Sequence, residues 1–269
     1  MNAFTHHFSF EFRTGLRNKN FLMLFYLFPL GFYVMMAVVM VGINPLFLEV
    51  LIPAMVLFAT LAATMLGMPD PLVNGRETGI FRSYKINGVP SASILAIPAL
   101  TTSLHLAIVA AIITISAPLL FDAPAPQNWL NYVLVFIVTV IACSGIGVLI
   151  GVISDNTRTA ILWSQLMFIP SVLLGGMMIP YSMLPAAAQK VSQLLPATHA
   201  MNAFNDLAMG RTSDFNPWAS VLILLTSGII AFALAIYLFS WDSKNTSRRG
   251  HPALAALVLL PYIIGILVL

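Results

Sequence analysis

The sequence is short of charge and of cysteine. Only 8% of its 269 residues are Asp, Glu, Lys or Arg, against 59% hydrophobic, and its mean hydropathy is +0.94. A water-soluble domain carries charge on about a quarter of its residues, so this chain is a membrane protein. Cys143 is its single cysteine, which excludes an intrachain disulfide and every multi-cysteine metal site. Within an apolar run it reads as a small packing residue. There is no Gly-x4-Gly-Lys-Ser/Thr phosphate loop, so the chain does not bind nucleotide by that device. The absence of HExxH, GxSxG or an aspartate-rich pair argues against an intramembrane hydrolase or transferase. His6 and His7 have no carboxylate or cysteine at ligand spacing, so no metal is expected there. Internal repeats and low-complexity linkers are missing too.

What is present is a series of apolar runs. Crossing about 30 Å of hydrocarbon at about 1.5 Å per residue takes about 20 residues, and six runs meet that length: Phe21 to Val41, Leu46 to Met68, Ile94 to Phe121, Trp129 to Ile153, Thr159 to Ile179 and Trp218 to Ser240. The first is too long for a signal-peptide core and lacks a cleavage site, so it is expected to stay. A seventh, Ala253 to Leu269, has 17 residues and contains Pro261; spanning, re-entering and lying buried are all open to it. The fold expected is all-α, one membrane domain over residues 1–252 with an additional hydrophobic segment at 253–269.

Charge sets the orientation. Arg13, Arg17, Lys19, Arg76, Arg82, Lys85, Arg158, Lys244, Arg248 and Arg249 fall on one side of the runs, and only Lys190 and Arg211 on the other. The positive-inside rule places the ten, and the N-terminus, in the cytoplasm. The net charge of +3 and pI near 9.2 record that orientation, not a nucleic-acid partner. Trp129, Trp218, Tyr237 and Trp241 stand at run ends, where amphipathic rings prefer the interface.

Two polar segments stand out. In "NGRETGIFRSYKINGVP", Asn74 is expected to cap a short helix with Glu77 in the capping-box position, Lys85 to suit its last turn, and Asn87-Gly88 to stop it before Pro90. Its Ile80, Phe81 and Tyr84 then share one face, with Arg82 pointing away. A protein groove or an anionic headgroup layer would receive that face. In the N-terminal arm, Phe4, Phe8 and Phe12 form a stripe for an interfacial helix, although Phe8, Phe10 and Phe12 also alternate as in a strand.

Few polar groups lie at membrane depth. Glu49 reads as the solvated end of the second run, His105 as a packing or a proton-linked histidine, and Gln165 as a bond between helices or part of a path. Gly147 and Gly151, with Cys143, make a small-xxx-small stripe for helix packing, within the chain or across a dimer. Gly175 and Gly176 are expected to loosen the fifth run as a hinge, with Met167, Met177, Met178 and Met183 as an adaptable lining or ordinary core. The connection from Pro180 to Pro217 is expected to hold two short helices dipping into the outer leaflet. Asp206 there reads as a solvated charge, and a pairing with His199 would need a third group between them.

Residues Glu77, Gly79 and Arg82 in "RETGIFRSYKINGVP", with Pro90 opening the third run, and "GGMMIPYSMLPAAAQKVSQLLPATHAMNAFNDLAMG" from Gly175 to Gly210, resemble the two signatures of the ATP-binding-cassette type-2 permeases. The resemblance covers nearly the whole chain and departs at residues 253–269, since the usual subunit ends after six spans. It implies the membrane subunit of an exporter of amphipathic, drug-like or lipid-linked cargo, not itself an enzyme. It further implies a second copy or related permease subunit, and cytosolic ATPase subunits holding ATP and magnesium. Arg76, Glu77, Gly79, Ile80, Phe81, Arg82, Tyr84 and Lys85 would form the coupling helix, and Asp155 and Arg158 in "SDNTR" a smaller contact. His105, Gln165, Met167, Gly175 and Gly176 would be candidates for the path. An ion-coupled secondary transporter, relying on His105 or Glu49, is the alternative.

Overall fold

The computed structural model describes residues 3–242 and 250–268, with the side chains of 3–7, 10 and 268 left out. Lys244, Arg248, Arg249 and the side chains of Phe4, His6, His7 and Phe10 therefore lie outside the described residues.

Asparagines punctuate the fold. Asn18, Asn128, Asn156 and Asn216 each accept a bond from the first-turn N–H groups of the helix that follows, satisfying donors that have no intrahelical partner. The helices are α1 (Ala3–Arg17), α2 (Lys19–Ile43), α3 (Phe47–Glu77), α4 (Ile80–Ile86), α5 (Ser91–Phe121), α6 (Trp129–Ile153), α7 (Thr157–Leu174), α8 (Ala186–Ser192), α9 (Pro196–Ala203), α10 (Pro217–Leu238) and α11 (Leu260–Val268). No strand occurs among the described residues. Five of these helices, α2, α3, α5, α6 and α10, are long and apolar enough to cross a membrane, and the protein is an integral membrane protein.

The fifth run departs from expectation. It is the 18-residue α7, which carries Arg158 and Gln165 and stops at Leu174 instead of Ile179. Gly175 caps it, and Gly176 takes a φ of 82°, a left-handed turn that costs glycine nothing. A Cβ on Gly175 would lie 2.2 Å from the Ser171 carbonyl and 2.5 Å from the Ala197 Cβ. The two glycines thus end the helix and seat α9 against it; they are not a loosened stretch within a span.

Helices α3 and α6 form the centre. Side chains from Leu51 to Met65, and from Val138 to Val152 apart from Ile141, are all buried; a helix apolar all round belongs inside. With lipid outside, the hydrophobic effect does not press helices together, so close packing must. It is supplied by missing side chains. A Cβ on Gly147 would lie 2.2 Å from the Thr64 carbonyl oxygen of α3, and one on Gly151 would lie 3.0 Å from that of Pro69. The opposite side of α6 meets α10 through Gly145, 2.9 Å from the Gly228 carbonyl by the same measure. The Thr64 carbonyl belongs to a π-helical stretch, Ala62–Gly67, which faces a second one, Met23–Leu27, through Gly67 and Phe25.

At the N-terminus the arm is a helix, not a strand. Its Phe12 stacks on His105 of α5 at 4.4 Å between centroids, so this ring packs on protein and not in headgroups. At the other terminus a 3-10 stretch, Pro252–Leu259, leads into α11. Gly250 lies against Tyr237 and Leu238 at the end of α10, and Tyr262 lies against His199 at 5.4 Å. The segment therefore runs back along α10, for roughly 30 Å at the usual 3-10 and α rises.

Replacing Gly147 by alanine forces a methyl into the Thr64 carbonyl, an overpacking of about 1–3 kcal/mol. The melting temperature in mild detergent is expected to fall by roughly 2–10 °C. Gly31→Ala, where nothing lies within 4 Å, should cause no such fall.

Candidate functional site

The site is the end of the molecule that carries most of the basic residues. It begins where α3 leaves the apolar core at Pro69. Arg76, in the last turn of α3, is buried at 4% exposure. Its Nη1 donates to the Val152 carbonyl at 2.9 Å, and its Nη2 to the Ser154 carbonyl. These carbonyls close the C-terminal end of α6, where backbone acceptors lack intrahelical partners and a cation opposes the helix dipole. Ser154 Oγ donates to the Ile150 carbonyl at 2.6 Å, and Thr157 Oγ1 donates to Asp70 Oδ1 at 3.1 Å. Asn74 Nδ2 donates to the other Asp70 oxygen at 3.2 Å. The end of α3 thereby holds the α6–α7 connection from both sides.

The expected single helix from Asn74 is instead two helices. Asn74 lies inside α3, where its carbonyl accepts from the Thr78 N–H at 2.9 Å and Oγ1 at 2.7 Å; it caps nothing. Glu77 is the last residue of α3, so the capping box does not form. Gly79, at φ 80°, turns the chain into α4. At the far end of α4, Asn87 is the cap and Gly88 takes a φ of 73°, with Lys85 in the last turn.

The face of α4 is also divided. Phe81 is turned inward, its ring against Gly75 and 5.5 Å from Phe239 beyond α10, so it anchors the helix instead of being offered outward. Tyr84 is half-buried, 6.4 Å from the Phe81 ring. Arg82 pairs with Asp242. Ile80 and Ile86 are the exposed apolar residues, at 49% and 85%. Glu77, Lys85, Asp155 and Arg158 are exposed as well.

The candidates for a path are not brought together. His105 lies under α1, its Nδ1 sharing a 2.6 Å hydrogen bond with the Tyr26 hydroxyl. Gln165 is exposed on α7, beside Ile161, Leu162, Leu166 and Ile169. Met167 lines an apolar cleft of about 460 Å³ between α6, α7 and the C-terminal segment. Met177 is buried and Met183 exposed. Gly147 and Gly151 pack within the chain against α3. Glu49 is exposed and 3.5 Å from Arg211.

At the opposite end, His199 and Asp206 do not meet. Asp206 accepts from Ser213 at 2.9 Å, whereas His199 Nε2 donates to the Gln193 carbonyl at 2.9 Å. Sequence reasoning passed over Asn202, which donates to the Phe215 carbonyl at 2.8 Å and accepts from the N–H groups of Asp214 and Phe215 at 3.0 and 3.3 Å. Nothing in its sequence context distinguishes it from a surface asparagine. For Arg76 the sequence shows a cation on the basic side and a place in the coupling-helix segment, but not its burial.

Comparison with known proteins gives a consistent result. The family described as "ABC-2 family transporter protein" matches residues 42–237. Among curated proteins, "Putative transport permease YvfS" of Bacillus subtilis (strain 168) is 22% identical over 232 residues, covering 85% of this chain and 93% of the relative. No solved structure matches.

Replacing Arg76 with lysine, which lacks the two-pronged fork, should release the α6–α7 connection. Limited trypsin digestion in detergent is expected to cut after Arg158 several-fold faster than in the wild type. The second expectation concerns acid. Burial drives the His199 imidazole down to about 4, against a smaller upward pull from its bond to the Gln193 carbonyl. The unfolded chain takes up a proton below about 6.5 and the folded one only near the lower value, so His199 withdraws stability as pH falls from about 6.5 and withdraws no more below its folded value. His199→Gln should make the drop in melting temperature across that window smaller than in the wild type.

Proposed function

The chain belongs to the ABC-2 family of transporter proteins, and from that footing we propose that it is the membrane-spanning subunit of an ATP-driven exporter. In this reading two cytosolic ATPase subunits hold ATP and magnesium and close against the basic end, which faces the cytoplasm of a cell with its N-terminus on the same side. A second copy or a related permease subunit completes the path, and an amphipathic, drug-like or lipid-linked cargo moves outward.

The observation that carries the proposal is how α4 is braced. It offers Ile80 and Ile86 outward, while Phe81 reaches Phe239, and Arg82 reaches Asp242. Just before it, Arg76 and Asp70 hold the end of α6 and the start of α7. A push on this short helix would be passed to three long ones without first bending a loop. A second subunit is favoured by the uncovered face of α7, where Gln165 stands among apolar side chains; a polar group facing lipid is unfavourable, and a neighbouring helix or a path would relieve it.

The ion-coupled alternative has less support. His105 is enclosed by Tyr26, Phe12 and Phe21, and Glu49 is exposed near Arg211. Among the described residues, neither stands in a group of three or more histidines, cysteines or carboxylates.

Tagged full-length protein drawn from membranes in mild detergent should bring with it an ATPase subunit that has a phosphate loop. Ile80→Asp together with Ile86→Asp should abolish that association and leave insertion intact, while Phe81→Ala should lower stability as well as association. A chain that recovers no such ATPase, with transport that stops when a proton or sodium gradient is collapsed but not when ATP is withdrawn, would overturn the proposal.

A further inference from the structure

The C-terminal segment does not close against α7. Between the last two turns of α6, α7 and residues 252–262 lies the cleft of about 460 Å³ that Met167 lines, a volume in the range of small-molecule sites. Its walls are apolar, with Ile146, Ile150 and Ile153 from α6 and Trp163 and Met167 from α7. The third wall is low, because Ala253, Ala255 and Ala256 stand where larger side chains would fill the gap. Trp163 on one side and Ala253 and Ala256 on the other are exposed as well as lining, so the cleft opens outward.

Its depth says what it opens to. Helix α6 is one of the membrane-crossing helices and Ile153 is its last residue, so the cleft lies in the hydrocarbon of the leaflet on the basic side, continuous with the surface that meets lipid. Left empty, such a space forfeits the contacts of every atom along its walls, and water gains nothing there. An acyl chain surrounds it already and is thin enough to enter.

The mouth is polar. His251 directly precedes Pro252 of the lining and is exposed; its Nδ1 accepts from the Ala253 N–H at 3.2 Å, so the ring proton is on Nε2, a donor for a group outside. Arg158 is exposed in the first turn of α7, five residues before Trp163 and so about 7.5 Å nearer the basic end. Asp155, the acid of the α6–α7 connection, is already engaged. A cation and an N–H donor at the end of an apolar cleft suit a phosphate whose tail lies inside.

We propose that the cleft holds one acyl chain of an anionic glycerophospholipid from the leaflet on the basic side, its phosphate attracted by His251 Nε2–H and the Arg158 guanidinium. The lipid seals the C-terminal segment to α7, which the protein's own side chains leave apart. The site is complete within one chain and needs no ATPase, so its failure would leave the exporter reading standing.

The test uses full-length protein in phosphatidylcholine nanodiscs with a minor share of phosphatidylglycerol carrying a photoreactive diazirine in one tail. Labels mapped by mass spectrometry should fall on peptides covering residues 146–167 and 252–262 several-fold above those on α2, whose Val34, Val38 and Ile43 are exposed. The same diazirine on phosphatidylcholine should label the cleft roughly fivefold less, the effect of about one basic side chain near an anionic head. Ala256→Phe fills the cleft and should remove its labels without changing those on α2. His251→Ala together with Arg158→Gln should bring the two lipids to equal labelling. Cleft labels no stronger than those on α2, labels that Ala256→Phe leaves in place, equal labelling of the wild type by both lipids, or a preference that survives the double variant would each overturn the proposal. So would cross-linking of Ala256→Cys chains to one another, the sign of a second copy in the cleft. If Ala256→Phe fails to fold, as judged by size exclusion, the comparison of the two lipids on the wild type decides.

Discussion

The architecture depends on how closely two backbones approach at Gly147. In hydrocarbon, a leucine gains nothing by leaving lipid for a neighbouring helix, so association rests on contact distance and on polar groups that would otherwise lack partners. The missing side chain at Gly147 lets the Thr64 carbonyl sit where a Cβ would be. With the helices this close, Gly151 comes against Pro69, and α3 continues past the end of α6 at a distance that an arginine can close. The polar arrangement at the basic end is therefore a consequence of packing among small residues deeper in the molecule.

The residue at position 76 must meet two demands. It has to remain charged while buried, and it has to donate in two directions at once, to Val152 and to Ser154. Arginine meets both because its guanidinium stays protonated and presents its donors in a planar fork; lysine is a point charge on a flexible stem. The carbonyls at the end of α6 supply partial negative charge without a carboxylate. Asp70 adds the complementary part, an acceptor for Thr157 and Asn74. Between them they convert what would be a flexible turn between two helices into an extension of α3.

Much of this was legible in the sequence, through rules applied at the right places. Apolar length marked out six runs, five of which are helices long and apolar enough to cross a membrane, while the fifth run became the shorter α7; the glycine spacing in α6 marked its packing stripe. The capping rule was sound but was applied to Asn74. The asparagines that do cap, at positions 18, 128, 156 and 216, each stand next to an apolar run, whereas Asn74 lies within one turn of α3 residues that were already helical. What misled the reading was a span that does not stop at the end of its apolar residues: α3 runs on to Glu77 as a polar helix. Phe81 escaped for a related reason. Periodicity places it on a face but does not say whether that face meets a partner or Phe239 of the same chain. The roles of Arg76 and Tyr26 depend on residues 76 to 79 positions away, that of Asn202 on residues 12 to 18 away, and no local pattern carries that information.

The C-terminal segment shows the same interplay at the opposite end. By residue count it is too short to cross hydrocarbon as an α-helix, but its first half is wound as a 3-10 helix, which gains about 2.0 Å per residue instead of about 1.5 Å. The gain in reach carries Tyr262 to His199, so a segment beyond the part matched to the family closes over the short helices at the far end. That closure constrains the histidine. With Nε2 donating to the Gln193 carbonyl, Nδ1 is left as an acceptor facing Ser220 at 3.4 Å, and Asn202 in turn donates to that serine at 3.2 Å. A proton added at Nδ1 would turn its acceptor into a donor and bury a charge beside the ring of Tyr262. The far end is thus ordered around a neutral imidazole, as the basic end is ordered around a permanent cation.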